Sequence, residues 1–508
     1  MKLIKFMTVV LLAAAVSSCT KDFREINTNL NNPTSVTPDL LLSGVIRNMA
    51  NQQVGDAWGI GNLVAQYNAK IQFVNEDRYL WNEQNGLWNS VYGNNRNLQN
   101  IFTAVEADPK SPYLGVGLIL KSWMFSLATD AYGDIPYSEA GKAKTSGAYT
   151  PAYDAQEAIY TGLLADLKKA NEQLATSSTN LSGDILFGGG ASSIMKWRKL
   201  ANSLRLRLLM RISKKKNVNA DMQAIVNDPT GNPIFTSNAD NAELKYFTAA
   251  PNQWPLYGSR VGSFDEIRVS KTLSDRLNAL GDTRINVFGR PSQSSVAGGT
   301  PRVEGIPNGL GDVAALNYNG GPQGVSRVGY TFACLVCNDA GQAVPDPSAP
   351  RSIIMNYAEL QFILAEAREK GMISNSAADV YYNNGINANF SYWRSLVPVQ
   401  YNLNIDMPAG YLTQTAVAYA GTTEEKLSKI ALQKWVALYF NGFEAWFDWR
   451  RTGMPAIVPG AANLNNNKVP IRFIYPISEQ SLNGANRAAA VTAQGGTDDL
   501  NTKMWLLR

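Results

Sequence analysis

The segment from residue 429 to residue 455, KIALQKWVALYFNGFEAWFDWRRTGMP, constrains the fold of this chain more than any other. Within and just before its first half, Leu427, Ile430, Trp435 and Leu438 recur at steps close to the helical period. This spacing is typical of the buried face of an amphipathic helix. We therefore expect a helix around which the rest of the chain packs.

Both ends of this segment carry helix boundary signals. Thr422 followed by Glu425 matches a capping box, in which each residue satisfies a free backbone N–H of the first turn. Gly453 and Pro455 provide a stop, since glycine ends helices readily and proline cannot continue them.

The second half of the segment mixes aromatic rings with charges of both signs. Two interpretations are open for Glu444 and Asp448, which lie four residues apart on one helix face. In the first, Arg450 and Arg451 hold both carboxylates ionised inside a buried ion-pair network. In the second, the carboxylates form a catalytic pair, which would need a raised pKa that the arginines oppose. The sequence favours the first.

The amino terminus has the pattern of an export signal. Two lysines precede an apolar run from residue 6 to residue 16 that is too short to span a bilayer. Small residues directly before Cys19 resemble a bacterial lipobox, which predicts removal of the signal peptide 1–18 and acylation of Cys19. Residues 19–35 would then form a lipidated tether. A plain secretory signal with an incidental cysteine is the alternative.

Composition excludes several classes of protein. Histidine is absent, so a Ser-His-Asp triad, a Cys-His pair and a His-ligated zinc site cannot form. The formal charge of +5 falls to +3 without Lys2 and Lys5, and no long block of like charge exists, so nucleic acid is not a predicted partner. The 45% apolar content is that of an ordinary folded protein.

Two cysteines remain besides Cys19. Cys334 and Cys337 form a CxxC pair, which would be half of a zinc site or a redox pair, but no second pair completes a metal site. In an exported protein we expect a small disulfide between them, with two free thiols as the alternative.

Helical periodicity recurs along much of the chain. The clearest runs are residues 38–49, 111–128, 151–174, 197–213, 352–370 and 376–393. Asp154 and Glu157 suggest a capping box for the third run. After the second run, Gly133 and Pro136 predict a corner. The corner also contains Asp130 and Asp134, for which a bound calcium ion is the less favoured alternative to a structural role.

Motifs in this order resemble those of the SusD/RagB family of surface nutrient-binding lipoproteins. They are TDAYGDIPYSEA at 129–140, PAYDAQ at 151–156, WRKLANSLRLR at 197–207, NYAELQFILAEA at 356–367, GINANF at 385–390, the QKW, GFEAW and RRTGMP elements at 433–455, and FIYP at 473–476. Asn389 stands where the family usually has serine.

The resemblance implies a mostly α fold. About eight helices would pair like tetratricopeptide hairpins in one large domain, residues 36–508, with a loop-rich, partly β excursion at residues 227–350. Periodicity alone predicts the helices and the excursion but does not predict the pairing.

The resemblance also implies the function. The chain would be a lipid-anchored outer-membrane protein, exposed at the cell surface, that captures an oligosaccharide, or in one branch a peptide, and acts as a lid on a SusC-like TonB-dependent transporter. No cofactor, metal or covalent chemistry is expected. Two competing classes stay open, a lipid-anchored glycoside hydrolase and a purely structural lipoprotein of the transporter.

The candidate ligand-binding residues come from two irregular stretches rather than from the motifs. They are Tyr79, Trp81, Asn82 and Trp88, with Trp254 and Tyr257 across a cleft. Aromatic faces stack on sugar rings, and amides hydrogen-bond to sugar hydroxyls. We expect alanine at Trp81 and Trp254 to abolish glycan binding without unfolding the chain. Ordinary packing, or contact with the transporter, is the alternative for each residue.

Overall fold

The computed structural model describes residues 36–147 and 149–508. The predicted signal peptide 1–18, the tether 19–35 and Cys19 lie outside these ranges. Eight helices in these ranges have 13 to 23 residues each, which matches the expected number of about eight core helices. None of the helices in this part of the chain combines the length and the apolar character needed to cross a bilayer.

The described α-helices are, in chain order, α1 (Pro38–Asp56), α2 (Asn62–Val64), α3 (Asn85–Ala104), α4 (Pro112–Tyr132), α5 (Ala143–Ser146), α6 (Gln156–Thr176), α7 (Gly190–Ile212), α8 (Asn219–Asn227), α9 (Val261–Asp265), α10 (Lys271–Ala279), α11 (Ile285–Phe288), α12 (Gln293–Ala297), α13 (Asp312–Leu316), α14 (Tyr357–Glu369), α15 (Ala378–Leu396), α16 (Thr423–Ala437), α17 (Glu444–Thr452), α18 (Ser478–Leu482) and α19 (Gly484–Ala493). A π-helical turn, Ala57–Gly61, joins α1 to α2. Short 3₁₀ turns are Asn238–Asp240, Tyr318–Gly320, Tyr330–Phe332, Val399–Tyr401, Tyr411–Thr413 and Trp505–Leu507.

The strands are β1 (Asn68–Lys70), β2 (Ile135–Pro136), β3 (Tyr153–Asp154), β4 (Ala242–Lys245), β5 (Ile267–Val269) and β6 (Arg351–Met355). They form three antiparallel pairs, β1 with β5, β2 with β3 and β4 with β6. The β content is therefore small, and it fastens segments together without forming a layer of its own.

The long helices pack mainly on their neighbours in sequence. α1 packs on α3, α3 on α4, α4 on α6 and α6 on α7. After the excursion, α14 packs on both α15 and α16, and α7 contacts α14. The expected pairing of helices is confirmed, and the two groups of helices meet along α7 and α14.

The corner after α4 caps the helix that follows it. The predicted capping box at Asp154 is wrong, because α6 begins only at Gln156 and Asp154 lies in β3. The Asp154 carboxylate accepts the backbone N–H groups of Tyr137 and Ser138 at 2.9 and 2.8 Å. Asp134 instead accepts the N–H of Gln156 at 2.8 Å, so a side chain of the corner satisfies the start of α6.

The segment 429–455 forms two helices rather than one. α16 begins with the predicted capping box at Thr422, and α17 ends at the left-handed Gly453. Between them Phe440 and Gly442 adopt φ values of 62° and 51°. A Cβ atom on Gly61 would lie 2.1 Å from the carbonyl oxygen of Gly442, so the break brings this backbone directly against the π-helical turn.

A buried ion-pair network surrounds α17. Asp448 pairs with Lys434 and Arg451, each at 2.9 Å, and Arg451 also donates two hydrogen bonds to Glu366, at 2.5 and 2.6 Å. Burial alone would raise the pKa of Asp448, but Lys434 and Arg451 lower it well below its ordinary value. The geometry therefore supports the ion-pair interpretation and provides no raised pKa for a catalytic acid at Asp448.

One detail of that interpretation is wrong. Glu444 pairs with Arg211 of α7, and not with Arg450. Arg450 donates to the carbonyl oxygen of Ile471 at 2.6 Å, and its guanidinium lies 4.5 Å from the centre of the Trp446 ring. Since Arg211 is far from Glu444 in sequence, spacing within the segment gave no indication of this partner.

The excursion packs against the helices through aromatic contacts. Trp254 and Phe332 approach the Phe440 ring at centroid distances of 5.5 and 4.7 Å. Cys334 and Cys337 are buried and joined by the expected disulfide. The strands β4 and β5 of the excursion each pair with a strand outside it.

Candidate functional site

A cavity of about 420 Å³ lies beside α1, at the start of the excursion. Its wall contains Arg47 and Asn51 of α1, residues 184–188 before α7, Lys196 of α7, and side chains from the segment 238–253 that includes β4. A volume of this size lies within the usual range for small-molecule sites.

Three aromatic residues line the wall, Phe187, Tyr246 and Phe247, and of these Phe247 is the exposed one, at 61%. The loop after β4 turns tightly, since the N–H of Phe247 donates to the carbonyl oxygen of Asn252 at 2.8 Å. Gln253 strengthens the turn by donating from Nε2 to the carbonyl oxygen of Thr248 at 2.7 Å. A fixed loop therefore holds an exposed phenyl ring at the edge of the cavity.

Amide side chains surround this ring. Asn51 accepts a hydrogen bond from the Tyr246 hydroxyl at 3.0 Å, and Asn252 accepts one from Arg47. Asn238 donates to the carbonyl oxygen of Ala388 at 2.8 Å, while its buried Oδ1 has no hydrogen-bond partner among residues 36–147 and 149–508. The wall thus combines an apolar ring with oriented polar groups, the combination that sugar recognition uses.

The two acids in the wall differ in how their oxygens are used. Asp184 accepts two backbone N–H groups on Oδ1, from Leu186 and Phe187 at 3.0 Å, and the Trp197 indole and Ser193 hydroxyl on Oδ2.

Glu243, the second acid, accepts the Tyr392 hydroxyl at 2.8 Å. Burial raises the pKa of Glu243, although Tyr392 and Arg351 oppose the shift. Both oxygens of Asp184 already accept hydrogen bonds from the protein. The cavity wall therefore has no second free carboxylate to act with Glu243, whereas a glycosidase needs two acids.

The predicted site residues near α3 lie in the core. Tyr79, Trp81 and Trp88 are all at least 94% buried. The Trp81 ring packs edge-on against Trp446 and Phe473 at centroid distances of 5.9 and 5.6 Å, and its Nε1 donates to the backbone. Packing of this kind leaves these rings no free face for a ligand in this conformation.

The remaining predicted residues are placed differently. Asn82 is exposed, Trp254 is buried and Tyr257 is half-buried. Trp254 packs behind the cavity wall, edge-on to Tyr246 at 5.3 Å. Among the described residues, no direct aromatic contact joins Trp254 to Trp81.

Direct ligand contact by these six residues stays a prediction, but one expectation attached to them needs correction. Because Trp81 and Trp254 are buried, their removal should leave large cavities, and alanine at either position is expected to destabilise the fold. Phe247, which lines the cavity, is not among the residues predicted from the sequence. The available signal was an aromatic residue within the amide-rich segment 238–253.

The alternative of a calcium ion at the corner is not supported by the side-chain contacts. Asp130 pairs with Arg211 at 3.6 Å and accepts the Tyr160 hydroxyl, while Asp134 caps α6. In the described ranges, no group of three or more acid or cysteine side chains is arranged to hold a metal ion. These carboxylates serve the structural role that the sequence favoured.

Comparison with known proteins gives consistent results. A family model described as "Starch-binding associating with outer membrane", SusD-like, matches residues 30–476. A comparison with curated protein sequences finds no match.

Several solved structures are similar over nearly the whole chain. A SusD homolog from Bacteroides fragilis is 28% identical with a TM-score of 0.79, covering 93% of this chain and 100% of that chain. A Bacteroides vulgatus outer membrane protein whose description names nutrient binding is 27% identical with a TM-score of 0.80, at the same coverage. A chitin-binding SusD homolog from Flavobacterium johnsoniae is 25% identical with a TM-score of 0.72, covering 92% and 99%.

The fold is accordingly that of SusD homologs, with tetratricopeptide-like paired helices. Since the family model covers most of its length, the chain belongs to the SusD-like family.

Proposed function

We propose that this chain is a lipid-anchored, surface-exposed protein that captures an oligosaccharide and delivers it, as a lid, to a SusC-like TonB-dependent transporter. Membership of a family described as starch-binding and associated with the outer membrane supports glycan binding. The chitin-binding relative supports the same ligand class.

One observation carries the placement of the ligand. The exposed Phe247 ring stands at the edge of a cavity whose wall contains the amides of Asn51, Asn238, Asn252 and Gln253. The ring would stack on an apolar sugar face, while the amides and Arg47 would hydrogen-bond to the hydroxyls. No bond needs to be broken, so the proposal is binding without catalysis.

A second hollow supports a ligand of several sugar units. It has a volume of about 600 Å³, lies between α1 and α3, and shares Asn51 with the first cavity. Its wall is also rich in amides, including Asn48, Gln52 and Asn94. An oligosaccharide that begins at Phe247 would continue along α1 into this hollow.

The proposal is tested by titrating the purified mature chain without its lipid with starch, chitin and other oligosaccharides and with short peptides, using calorimetry. We expect heat of binding with one class of oligosaccharide and no new reducing ends on long incubation. Sugar release would support the hydrolase alternative, and the absence of binding to every probe would support a structural role.

A set of exposed aromatic residues locates the site. Phe247→Ala should weaken oligosaccharide binding at least about fivefold, since stacking on an aromatic ring contributes about 1–3 kcal/mol in the comparable case of nucleic-acid bases. Tyr149→Ala, at an exposed ring outside the cavity wall, is the matched control. Phe73→Ala, at an exposed ring in the stretch 55–95, is the third variant. If only Phe73→Ala loses binding, the ligand binds at the stretch 55–95, and the site at the Phe247 cavity is rejected.

A further inference from the structure

A third cavity, of about 280 Å³, lies within the excursion. It shares no lining residue with the cavity of Phe247 or with the hollow between α1 and α3. Three arginines and two aspartates contribute to its wall: Arg268, Arg290, Arg327, Asp265 and Asp339. Its remaining lining residues are uncharged, so the wall carries one positive charge in excess.

The two aspartates are engaged mainly by a single arginine. Arg327 donates from Nε to Asp265 and from Nη1 to Asp339, both at 2.8 Å. The other oxygen of Asp339 accepts the Tyr330 hydroxyl at 2.8 Å. Arg327 therefore bridges the two carboxylates through one oxygen of each.

The other two arginines keep free donors although they are buried. Arg268 is 5% exposed and Arg290 is 1% exposed. Within the described part of the chain, Nε and Nη1 of Arg268 and Nη2 of Arg290 have no hydrogen-bond partner. Nη1 of Arg268 lies 3.5 Å from Asp265, at ion-pair distance, without making a hydrogen bond to it. Buried donors are rarely left unsatisfied, and charged ones least of all, so these groups call for an acceptor that the protein itself does not supply.

Arg290 pairs with Asp339, an acid that it shares with Arg327. Its Nε donates to the carbonyl oxygen of Val328 at 2.9 Å, and its Nη1 donates to the carbonyl oxygen of Cys337 at 2.5 Å and lies 3.4 Å from Asp339. Burial, together with the positive charge of Arg327, lowers the pKa of Arg290 to about 10. A nearby negative charge would oppose both effects.

We propose that this cavity binds an oxyanion group, a carboxylate or a sulfate, between Arg268 and Arg290. Arginine is suited to this role because its planar guanidinium donates two parallel hydrogen bonds to such a group. The group would be either a free inorganic anion or a substituent of an acidic sugar. The site goes beyond the proposed glycan capture, because the amide-lined cavity contains no comparable excess of unpaired guanidinium groups.

The test uses calorimetric titration of the purified mature chain with sodium sulfate, sodium glucuronate and glucose at constant ionic strength. We expect binding of sulfate, of glucuronate or of both, and none of glucose at this site. Sulfate alone would identify an inorganic anion or a sulfate ester as the ligand, and glucuronate alone a carboxylate on a sugar. Binding of neither anion overturns the proposal.

A charge introduced at the cavity wall assigns the binding to this place without disturbing the core. Gln323 is exposed and lines the cavity, so Gln323→Glu should fold normally and weaken anion binding about tenfold by like-charge repulsion. Gln342→Glu, at an exposed position of the excursion outside the wall, is the matched control. Equal anion affinity in both variants would reject the site. Neutral oligosaccharide binding at Phe247 should be the same in both, which separates this test from that of the proposed function.

Discussion

Arg207 of α7 and Glu359 of α14 are joined by two parallel hydrogen bonds, each 2.6 Å long, from Nε and Nη2 to the two carboxylate oxygens. Both side chains are at least 96% buried. The pair connects the helices that precede the excursion with those that follow it. Two of the conspicuous motifs, WRKLANSLRLR and NYAELQFILAEA, each supply one partner, so these motifs mark scaffold and not ligand contacts.

Breaking this pair should destabilise the fold strongly. Arg207→Met leaves Glu359 buried without its partner, for which we expect a loss of about 3–5 kcal/mol in the free energy of unfolding, measured by urea denaturation. Lys168→Met, at the exposed Lys168–Glu172 pair, is the control and should cost less than about 1 kcal/mol. Similar losses in the two variants would contradict the structural role of the buried pair.

Trp446 and Trp81 should behave as core residues. Their rings pack edge-on, and alanine at either position should lower the free energy of unfolding by about 3–5 kcal/mol, seen as a lower thermal midpoint. Phe247→Ala serves as the comparison, because its exposed ring contributes little to the fold. If Trp446→Ala remained stable and lost only ligand binding, the binding site would lie at α17 instead.

Stability should fall in acid because of Glu366. Burial opposes the shift, but Arg451 lowers the pKa of Glu366 from 4.5 to about 2. A depressed folded-state pKa gives stability that is present above pH 4.5 and is lost as the pH falls towards 2. We expect the urea midpoint to decline over this range, and to decline less steeply in Glu366→Gln, which should already be weaker at neutral pH. Parallel curves for the two proteins would rule out this assignment.

The disulfide should have a small effect, because it closes a loop of only four residues. Replacing Cys334 and Cys337 by serine should cost at most about 2 kcal/mol of stability by the loop-entropy estimate. Oligosaccharide binding at Phe247 should not change. Thiol labelling before and after reduction of the unfolded wild-type protein checks that the bond is present, and labelling without reduction would show that it is not.

The predicted anchor has a direct test in cells. Cys19→Ala should move the protein from the membrane fraction to the soluble fraction, because the acyl chains would no longer be attached. Thr20→Ser, which leaves Cys19 and the small residues before it unchanged, is the control. An unchanged membrane fraction for Cys19→Ala would indicate that another element holds the protein at the membrane.

Seven of the eight long helices in the described ranges were predictable from local information, whereas α3 was not among the predicted runs. Pro38 at the first turn of α1 and the capping box at Thr422 are signals carried by adjacent residues. The break between α16 and α17 was not, because it depends on distant contacts: Phe440 stacks on Phe332, and Gly442 lies against Gly61. Single-sequence periodicity contains no information about such partners.

The candidate site was harder to predict than the fold. A tryptophan among amides is expected both in a sugar site and in a core, and only tertiary structure shows which faces of the ring are covered. Trp81 proved to be buried, whereas the less conspicuous Phe247 is exposed. The unpaired donors of Arg268 and Arg290 depend likewise on how Arg327 is oriented, which no spacing in the sequence indicates.

The pairing of β4 with β6 closes the excursion at its base, since β4 ends at Lys245 and β6 begins at Arg351. The segment between these strands, which contains α9 to α13 and β5, has its two ends held together. Lengthening a loop whose ends are held in this way costs little, about 0.6 kcal/mol for each doubling. The segment between β4 and β6 can therefore change in length and sequence during evolution while the paired helices keep their packing.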